Sequence, residues 1–543
     1  MLLRSGARGL PAQAAAAASW RGLQAAIPRC ARAVASSAPS RASGGSSSSS
    51  SSNNPSLAFP CIDANEARTA RLLARQGPDI EDPSAASGSA SSDDGPEPSY
   101  TNVVSGYKTY HHDAPLELDY GGELPSFDIA YETWGTLNSD RSNAILLHTG
   151  LSASSHAASH PENTTKGWWE DFIGPGKAID SNKYFVICTN VIGSCYGSTG
   201  PSSPHPLDPE GKPWATRFPI ISVFDMVRAQ FLLLDHLGID RLYASMGSSM
   251  GGMQSIAATH LYPQRVQKLI SISGSARANP SSIALRFAQR SVLMADPNWN
   301  RGFYYDEGRL PPHTGMKLAR QIATITYRSG PEWEQRFGRE RRRGSADAED
   351  ELAPALCPDF LIETYLDHQG EQFCLKYDAN SLIYVSKAMD LFDMSQDSLA
   401  SLEKRREKNR LARQKEEDDQ TAAPASSEPD DSSLTASAAT STSTGGAGKR
   451  RRQHIQTLSS PSAHTYLDSL AEGLRSLSDH PTLIIGAQSD ILFPIDQQRE
   501  LAECLRRNGN TEVRYYEIDA PHGHDSFLID VANVGGAIKG FLD

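Results

Sequence analysis

The densest chemistry in the chain lies between Leu242 and Gln254, where Gly247-Ser248-Ser249-Met250-Gly251 has the spacing G-x-S-x-G. Alone this is a weak signal, because three fixed positions recur by chance in Ser- and Gly-rich chains. Its setting strengthens it: an apolar run, Leu242–Met246, ends just before it and a helical pattern begins just after it. In that setting the glycines permit a tight turn that lifts the Ser249 hydroxyl clear of a sheet, beside the positive end of a helix. A serine held this way could attack an acyl group.

A nucleophilic serine needs a base to take its proton and an acid to orient that base, in the chain order Ser, then Asp or Glu, then His. Thr482–Ala487 reads as a strand followed by Gln488-Ser489-Asp490, and Glu512–Ile518 as another followed by Pro521-His522-Gly523-His524-Asp525. Asp490 is the expected acid. His524, further out in its loop and immediately before the final helix, is the expected base, with His522 as the alternative. The oxyanion that develops in acyl transfer needs pre-placed N–H donors. One should be the amide of Met250 and the other the amide of Leu151, in the loop Thr149–Ser154 after Ala144–His148.

The elements that would position these residues alternate along the chain. Phe127–Thr133, Ala144–His148, Tyr184–Thr189, Leu242–Met246, Lys268–Ser273, Thr482–Ala487 and Glu512–Ile518 read as strands. Several are continuous apolar runs, as expected for central parallel strands covered on both faces. Val223–Leu237 and Met250–Leu261 read as helices between them, the first ending at Gly238. Between Gly274 and Pro481 strand signals vanish and helical patterns take over, among them Ser282–Met294, Thr314–Tyr327 and Ala379–Phe392. The expected fold is α/β, a mostly parallel sheet flanked by helices with a helical lid inserted before the last strands.

The 543 residues carry low-complexity segments at 33–56, 84–99 and 418–448 that cannot bury enough apolar surface to fold. The expected organisation is a disordered arm over 1–56, a mostly disordered extension over 57–104, and a core from 105 to 274. A lid then spans 275–480, with a disordered insertion at about 400–458, and the core is completed by 481–543. A formal net charge of −12 argues against nucleic acid as a partner. The basic runs Lys404–Arg413 and Lys449–Arg452 read as solvated charge. Seven scattered cysteines, without close pairs, suit a reduced compartment and offer no metal-ligand spacing. No apolar run is long enough to cross a membrane. Between Met1 and Ile62 there is no Asp or Glu, while Arg4, Arg8, Arg21, Arg29, Arg32 and Arg41 recur among Ala, Leu and Ser. That is the pattern of a mitochondrial transit peptide.

Over most of 105–395 and 465–543 the chain resembles the homoserine O-acetyltransferase family of α/β-hydrolase-fold acyltransferases. The resemblance is carried by Gly167-Trp-Trp-Glu170, Ile173-Gly-Pro-Gly-Lys-Ala-Ile-Asp180, Tyr184–Asn190 with Gly193, Tyr196-Gly-Ser-Thr-Gly-Pro201, Gly247–Gln254, Leu318-Ala-Arg320 and His524-Asp-Ser-Phe527. It implies the same nucleophile, acid and base. It also implies that Arg320 holds the α-carboxylate of an amino-acid acceptor and Asp525 its ammonium group, since a planar guanidinium grips a carboxylate at two points. Without the resemblance Arg320 reads as a surface cation on a lid helix. No metal or bound cofactor is implied; acyl-CoA is a co-substrate, and dimerisation through the lid follows from the resemblance alone.

The chain departs from the family where homoserine-specific members carry Leu-Thr-Gly; here the loop reads Leu151-Ser152-Ala153-Ser154. An altered wall beside the nucleophile would suit L-serine, one methylene shorter. Arg286, on an early lid helix, could bind the free carboxylate of a succinyl group, or be an exposed helix charge. The extension around Phe59–Arg75 also resembles fungal mitochondrial members that act on serine in cysteine synthesis. The expected reaction is succinyl transfer from succinyl-CoA to L-serine. Acetyl transfer to serine or homoserine is the near alternative, and an esterase, a thioesterase or an idle scaffold the distant ones.

Overall fold

A computed structural model describes residues 104–306, 309–341, 358–421 and 463–543. The expected transit peptide, almost all of the N-terminal extension including Phe59–Arg75, the rest of the expected insertion from 422 to 458 and the basic run Lys449–Arg452 lie outside the described residues.

The core is an eight-stranded sheet. Its strands are β1 (Lys108–His112), β2 (Phe127–Trp134), β3 (Ala144–His148), β4 (Phe185–Thr189), β5 (Leu242–Ser248), β6 (Val266–Ile272), β7 (Thr482–Ala487) and β8 (Val513–Ile518). In space they run β1-β2-β4-β3-β5-β6-β7-β8. β1 and β2 are antiparallel to their neighbours, and β4-β3-β5-β6-β7-β8 is parallel throughout. Every residue of β3 and of β7 is buried, which is why both read as continuous apolar runs. β1 (KTYHH) left no such trace because most of it is exposed and polar.

Helices α1 (Val223–His236) and α2 (Met250–Leu261) connect core strands. α1 starts where the Ser222 hydroxyl accepts from the Asp225 amide and the Asp225 carboxylate accepts from the Ser222 amide, a reciprocal cap. Between β6 and β7 the chain builds α3 (Pro280–Met294), α4 (His313–Tyr327), α5 (Gly330–Phe337), α6 (Leu361–Cys374), α7 (Ala379–Asp390), α8 (Gln396–Thr421) and α9 (Ala463–Gly473). α10 (Ile495–Arg507) and α11 (Val531–Leu542) complete the carboxyl-terminal part.

The segment expected to open a disordered insertion, residues 400–421, is instead part of α8. Its basic run is docked, not solvated. Arg406 reaches Asp119 at 2.8 Å, Arg413 reaches Glu123 at 2.7 Å, and the Arg405 guanidinium lies over the Tyr120 ring. Asp119 and Asp225 are fully buried, and Arg228 bridges them at 2.8 and 2.9 Å. Burial, and then the neighbouring Asp119, push the Asp225 carboxyl up against the pull of Arg228, and α8 brings a further cation, Arg406, to 3.9 Å from it.

Candidate active site

Ser249 links β5 to α2 with φ 59° and ψ −124°, a backbone shape that non-glycine residues rarely adopt. The turn is this tight because the flanking glycines allow it. A Cβ on Gly247 would lie 2.5 Å from the Gly251 carbonyl, and one on Gly251 would lie 2.3 Å from the His148 carbonyl oxygen. Ser249 ends up almost buried at the carboxyl end of a central strand.

Asp490 and His524 follow the carboxyl ends of β7 and β8. Asp490 Oδ1 accepts from the amides of Leu492 and Phe493 at 2.9 and 2.8 Å, which leaves Oδ2 facing His524 Nδ1 at 2.6 Å. The His524 ring is stacked on Phe493 and met edge-on by Phe527. Its Nε2 is buried and has no partner among the described residues, the free acceptor that a serine hydroxyl requires. His522, the other histidine considered from the sequence, does not meet Asp490; its Nδ1 lies 3.7 Å from Glu332.

Among the described residues, neither the Met250 amide nor the Leu151 amide donates a hydrogen bond, so both remain free to act on an oxyanion. The loop of Leu151 passes close to the nucleophile, since a Cβ on Gly150 would sit 4.0 Å from Ser249 Cβ. The lid residue Tyr377 donates to the Leu151 carbonyl at 2.8 Å. Of the remaining wall, Ser154 accepts from Trp168 Nε1 at 2.9 Å through its carbonyl, while Ser152 and Ala153 are half-buried.

Beneath these donors lies a buried polar chain that sequence reasoning missed. Gln254 Nε2 donates to the Thr149 carbonyl at 2.9 Å, and Gln254 Oε1 accepts from Gln230 Nε2 at 2.9 Å. Gln230 Oε1 faces His148 Nδ1 at 3.0 Å, and His148 Nε2 faces Ser245 Oγ at 2.8 Å. Burial pushes the His148 imidazole down to about 3, so it stays neutral and each nitrogen has one role. The chain joins the nucleophile's helix to the oxyanion loop. Its only sequence trace was a histidine closing the apolar run AILLH.

Arg320 lies on α4 with its Cζ 4.5 Å from the Phe373 ring centre and 5.2 Å from that of Tyr327. It forms no ion pair among the described residues, and its Nε is buried without a partner. It is therefore not the surface salt-bridge residue that its sequence position suggested. Asp525 is different, because it already holds a cation: Arg328 Nη2 lies 3.0 Å from its Oδ2. Burial pushes the Asp525 carboxyl up against the opposing pull of Arg328, His524 and Arg320.

Arg286 is not an exposed helix charge; it is 3% exposed. Its Nε donates to Asp390 Oδ1 at 2.6 Å, while Arg290 takes the other carboxylate oxygen. Nη1 and Nη2 of Arg286 are both buried without partners among the described residues. Ser282, one turn earlier on α3, donates to the Leu492 carbonyl at 2.6 Å, which places this helix against the Asp490 loop.

A serine on a strained strand-to-helix turn, with an Asp–His pair in the loops after later strands of the same parallel sheet, is the arrangement of the α/β-hydrolase fold. The α/β hydrolase fold family model matches residues 143–531. A serine O-succinyltransferase of Schizosaccharomyces pombe is 55% identical over 90% of this chain and 95% of its own length. A homoserine O-acetyltransferase of Rhodopseudomonas palustris is 37% identical over 79% of this chain and 88% of its own. The crystal structure of homoserine O-acetyltransferase from Bacillus anthracis superposes with a TM-score of 0.60 at 25% identity, covering 81% of this chain and 98% of that one. The chain belongs to the α/β-hydrolase fold family, in the group of O-acyltransferases that holds serine O-succinyltransferases and homoserine O-acetyltransferases.

Proposed function

We propose that this protein moves a succinyl group from succinyl-CoA to the hydroxyl of L-serine through an acyl-enzyme on Ser249. The observation that carries the choice of donor is the buried Arg286 guanidinium, whose two unbonded Nη groups offer a free edge to a second carboxylate. The similarity to the Schizosaccharomyces pombe serine O-succinyltransferase supports the same reading.

In this mechanism Ser249 Oγ attacks the thioester carbonyl while His524 Nε2 takes its proton, with Asp490 holding the ring by Nδ1. The tetrahedral oxyanion faces the amides of Met250 and Leu151. The C–S bond then breaks, and the CoA thiol leaves with the proton from His524. The serine hydroxyl next gives its proton to His524 and takes the succinyl group from Ser249, restoring the free enzyme. Arg320, which forms no ion pair among the described residues, grips the acceptor's carboxylate, and Asp525 shares its charge between Arg328 and the acceptor's ammonium group. Positioning the alcohol at high effective concentration under the lid favours transfer over hydrolysis.

The test is mass spectrometry of products from the full chain given equal succinyl-CoA and acetyl-CoA with equal L-serine and L-homoserine. O-succinylserine as the main product supports the proposal. O-acetylserine or O-acetylhomoserine would keep the triad and discard the role of Arg286, and free acid would assign an esterase or thioesterase. The acid-free, Arg-bearing first 62 residues support mitochondrial import, and O-succinylserine as product would suit a place in cysteine synthesis. Import of a fusion carrying residues 1–62 into isolated mitochondria checks the address. Phe287 and Met294 on α3 and Leu318 and Ile325 on α4 are exposed apolar residues that would suit a homodimer through the lid. Light scattering of the full chain decides that point.

A further inference from the structure

The loop between β3 and Trp169 carries the Leu151 amide, yet has neither helix nor strand to hold it. Its anchor is Glu132, a carboxylate on β2 that is 2% exposed. Oε1 of Glu132 accepts from Ser155 Oγ at 2.9 Å. Its Oε2 lies 2.8 Å from His156 Nδ1 and 2.7 Å from His160 Nε2. One buried anion thus gathers three side chains of the loop.

The neighbouring hydrogen bonds assign the protons. Asn163 Nδ2 donates to the Ser105 carbonyl at 2.9 Å, so Asn163 Oδ1 is the acceptor for the Thr165 hydroxyl at 2.5 Å. His156 bridges the loop to Glu132, its Nδ1 2.8 Å from Oε2 and its Nε2 2.9 Å from the Thr165 carbonyl. His160 Nδ1 accepts from the Glu162 amide at 3.3 Å, which leaves the His160 proton on Nε2, aimed at Glu132. Glu132, His156 and His160 also have the composition of a metal site. A cation bound there would need His160 Nε2 without its proton, and the Glu162 amide opposes that tautomer.

We propose that Glu132 is a positioning residue for the oxyanion hole: by gripping Ser155, His156 and His160 it sets where the Leu151 amide stands relative to that of Met250. Tyr377 fixes the same loop from the lid side through the Leu151 carbonyl, and Gln254 fixes its start through Thr149. Glu132 is the support at its far end. The proposal rests on the reading of Leu151 N–H as an oxyanion donor.

The test compares the full wild-type chain with Glu132→Gln, a near-isosteric change that turns one acceptor oxygen into a donor facing a histidine N–H. Readouts are kcat and KM for acyl transfer, hydrolysis of a 4-nitrophenyl ester, inhibition by an alkyl boronic acid, melting temperature and bound divalent metal. A boronate forms a tetrahedral adduct on the serine whose oxygen occupies the oxyanion hole. Removing an oxyanion donor lowers kcat by about 10²–10³-fold, so displacing one should cost roughly tenfold. The expected result is a tenfold lower kcat and a matching loss of boronate affinity, with the acceptor KM within about twofold. If Glu132→Gln fails to fold, Ser155→Ala and His160→Gln should each lower kcat and boronate affinity together by about threefold. A kcat within twofold of wild type overturns the proposal, as does a lower kcat with unchanged boronate affinity. One equivalent of divalent metal in the wild type that the variant lacks would also overturn it. Ester hydrolysis and boronate binding do not depend on the acceptor, so a wrong acceptor assignment would leave this test intact.

Discussion

Arg328 Nη2 stands 3.0 Å from Asp525 Oδ2, so the carboxylate next to His524 already has a guanidinium in place. The same guanidinium is bonded to Glu332, which is 3% exposed, and so balances two acids under the lid. Removing one partner of a buried ion pair leaves an uncompensated charge, at about 3–5 kcal/mol for fully buried pairs. Arg328→Met should therefore lower stability by roughly 2–4 kcal/mol, since these groups are not wholly buried. The loss should be smaller at pH 5 than at pH 8. With the cation gone, burial raises the Asp525 carboxyl further, so protonation of that group at low pH recovers part of the loss. Denaturant titrations at the two pH values check both the size and the sign.

Ser249 carries a positive φ of 59° with a side chain in place. Backbone of this kind costs of order 1–3 kcal/mol for a residue with a Cβ and little for glycine. Ser249→Ala and Ser249→Gly should both lose CoA release from succinyl-CoA by more than about 10³-fold. The glycine variant should be the more stable of the two, by about 1 kcal/mol. A thiol assay and thermal melts on the same preparations read both outcomes.

The two lid arginines separate donor from acceptor. Arg286→Ala should lower succinyl transfer at least tenfold more than acetyl transfer. The ratio cancels any general damage from leaving Asp390 with Arg290 alone. Arg320→Lys keeps the charge and loses the planar fork, so it should raise the amino-acid KM about tenfold and leave the succinyl-CoA KM near its starting value. Steady-state kinetics with each substrate varied in turn decide between them.

His148 titrates the fold. Its imidazole is pushed down to about 3, first by burial, against an ordinary value of 6.5. The unfolded chain therefore binds a proton below about pH 6.5 that the folded chain refuses until near pH 3. The stability contributed by the neutral ring is complete above pH 6.5 and is lost progressively as pH falls toward 3. His148→Gln should start from a lower melting temperature at pH 8 and show a shallower decline between pH 6.5 and 4. Thermal melts across that range would show it.

The strands and the chemical core of the site were legible in the amino-acid sequence for local reasons. Ala144–His148 and Thr482–Ala487 carry continuous apolar runs because both faces are covered, and their bounds in the structure coincide with the expected ones. The glycines around Ser249 and the loops that hold Asp490 and His524 marked the ends of such runs. The preference for His524 over His522 rested on position in the loop alone. Asp490 meets His524 instead of His522 because the amides of Leu492 and Phe493 aim its free oxygen that way.

The sequence by itself determined the alternation of strand and helix, the chain order Ser249, Asp490, His524, and which residue types stand at strand ends. Those are features of period and position along one stretch of chain. Only the tertiary structure decided that Arg406 docks on Asp119, that Arg286 is buried against Asp390, that Arg328 occupies Asp525 and that Glu132 gathers the oxyanion loop. In each case a charge meets partners between 23 and 287 positions away along the chain. Nothing in local periodicity encodes such a meeting. Burial removes water as the alternative partner, and the folded packing alone supplies the other.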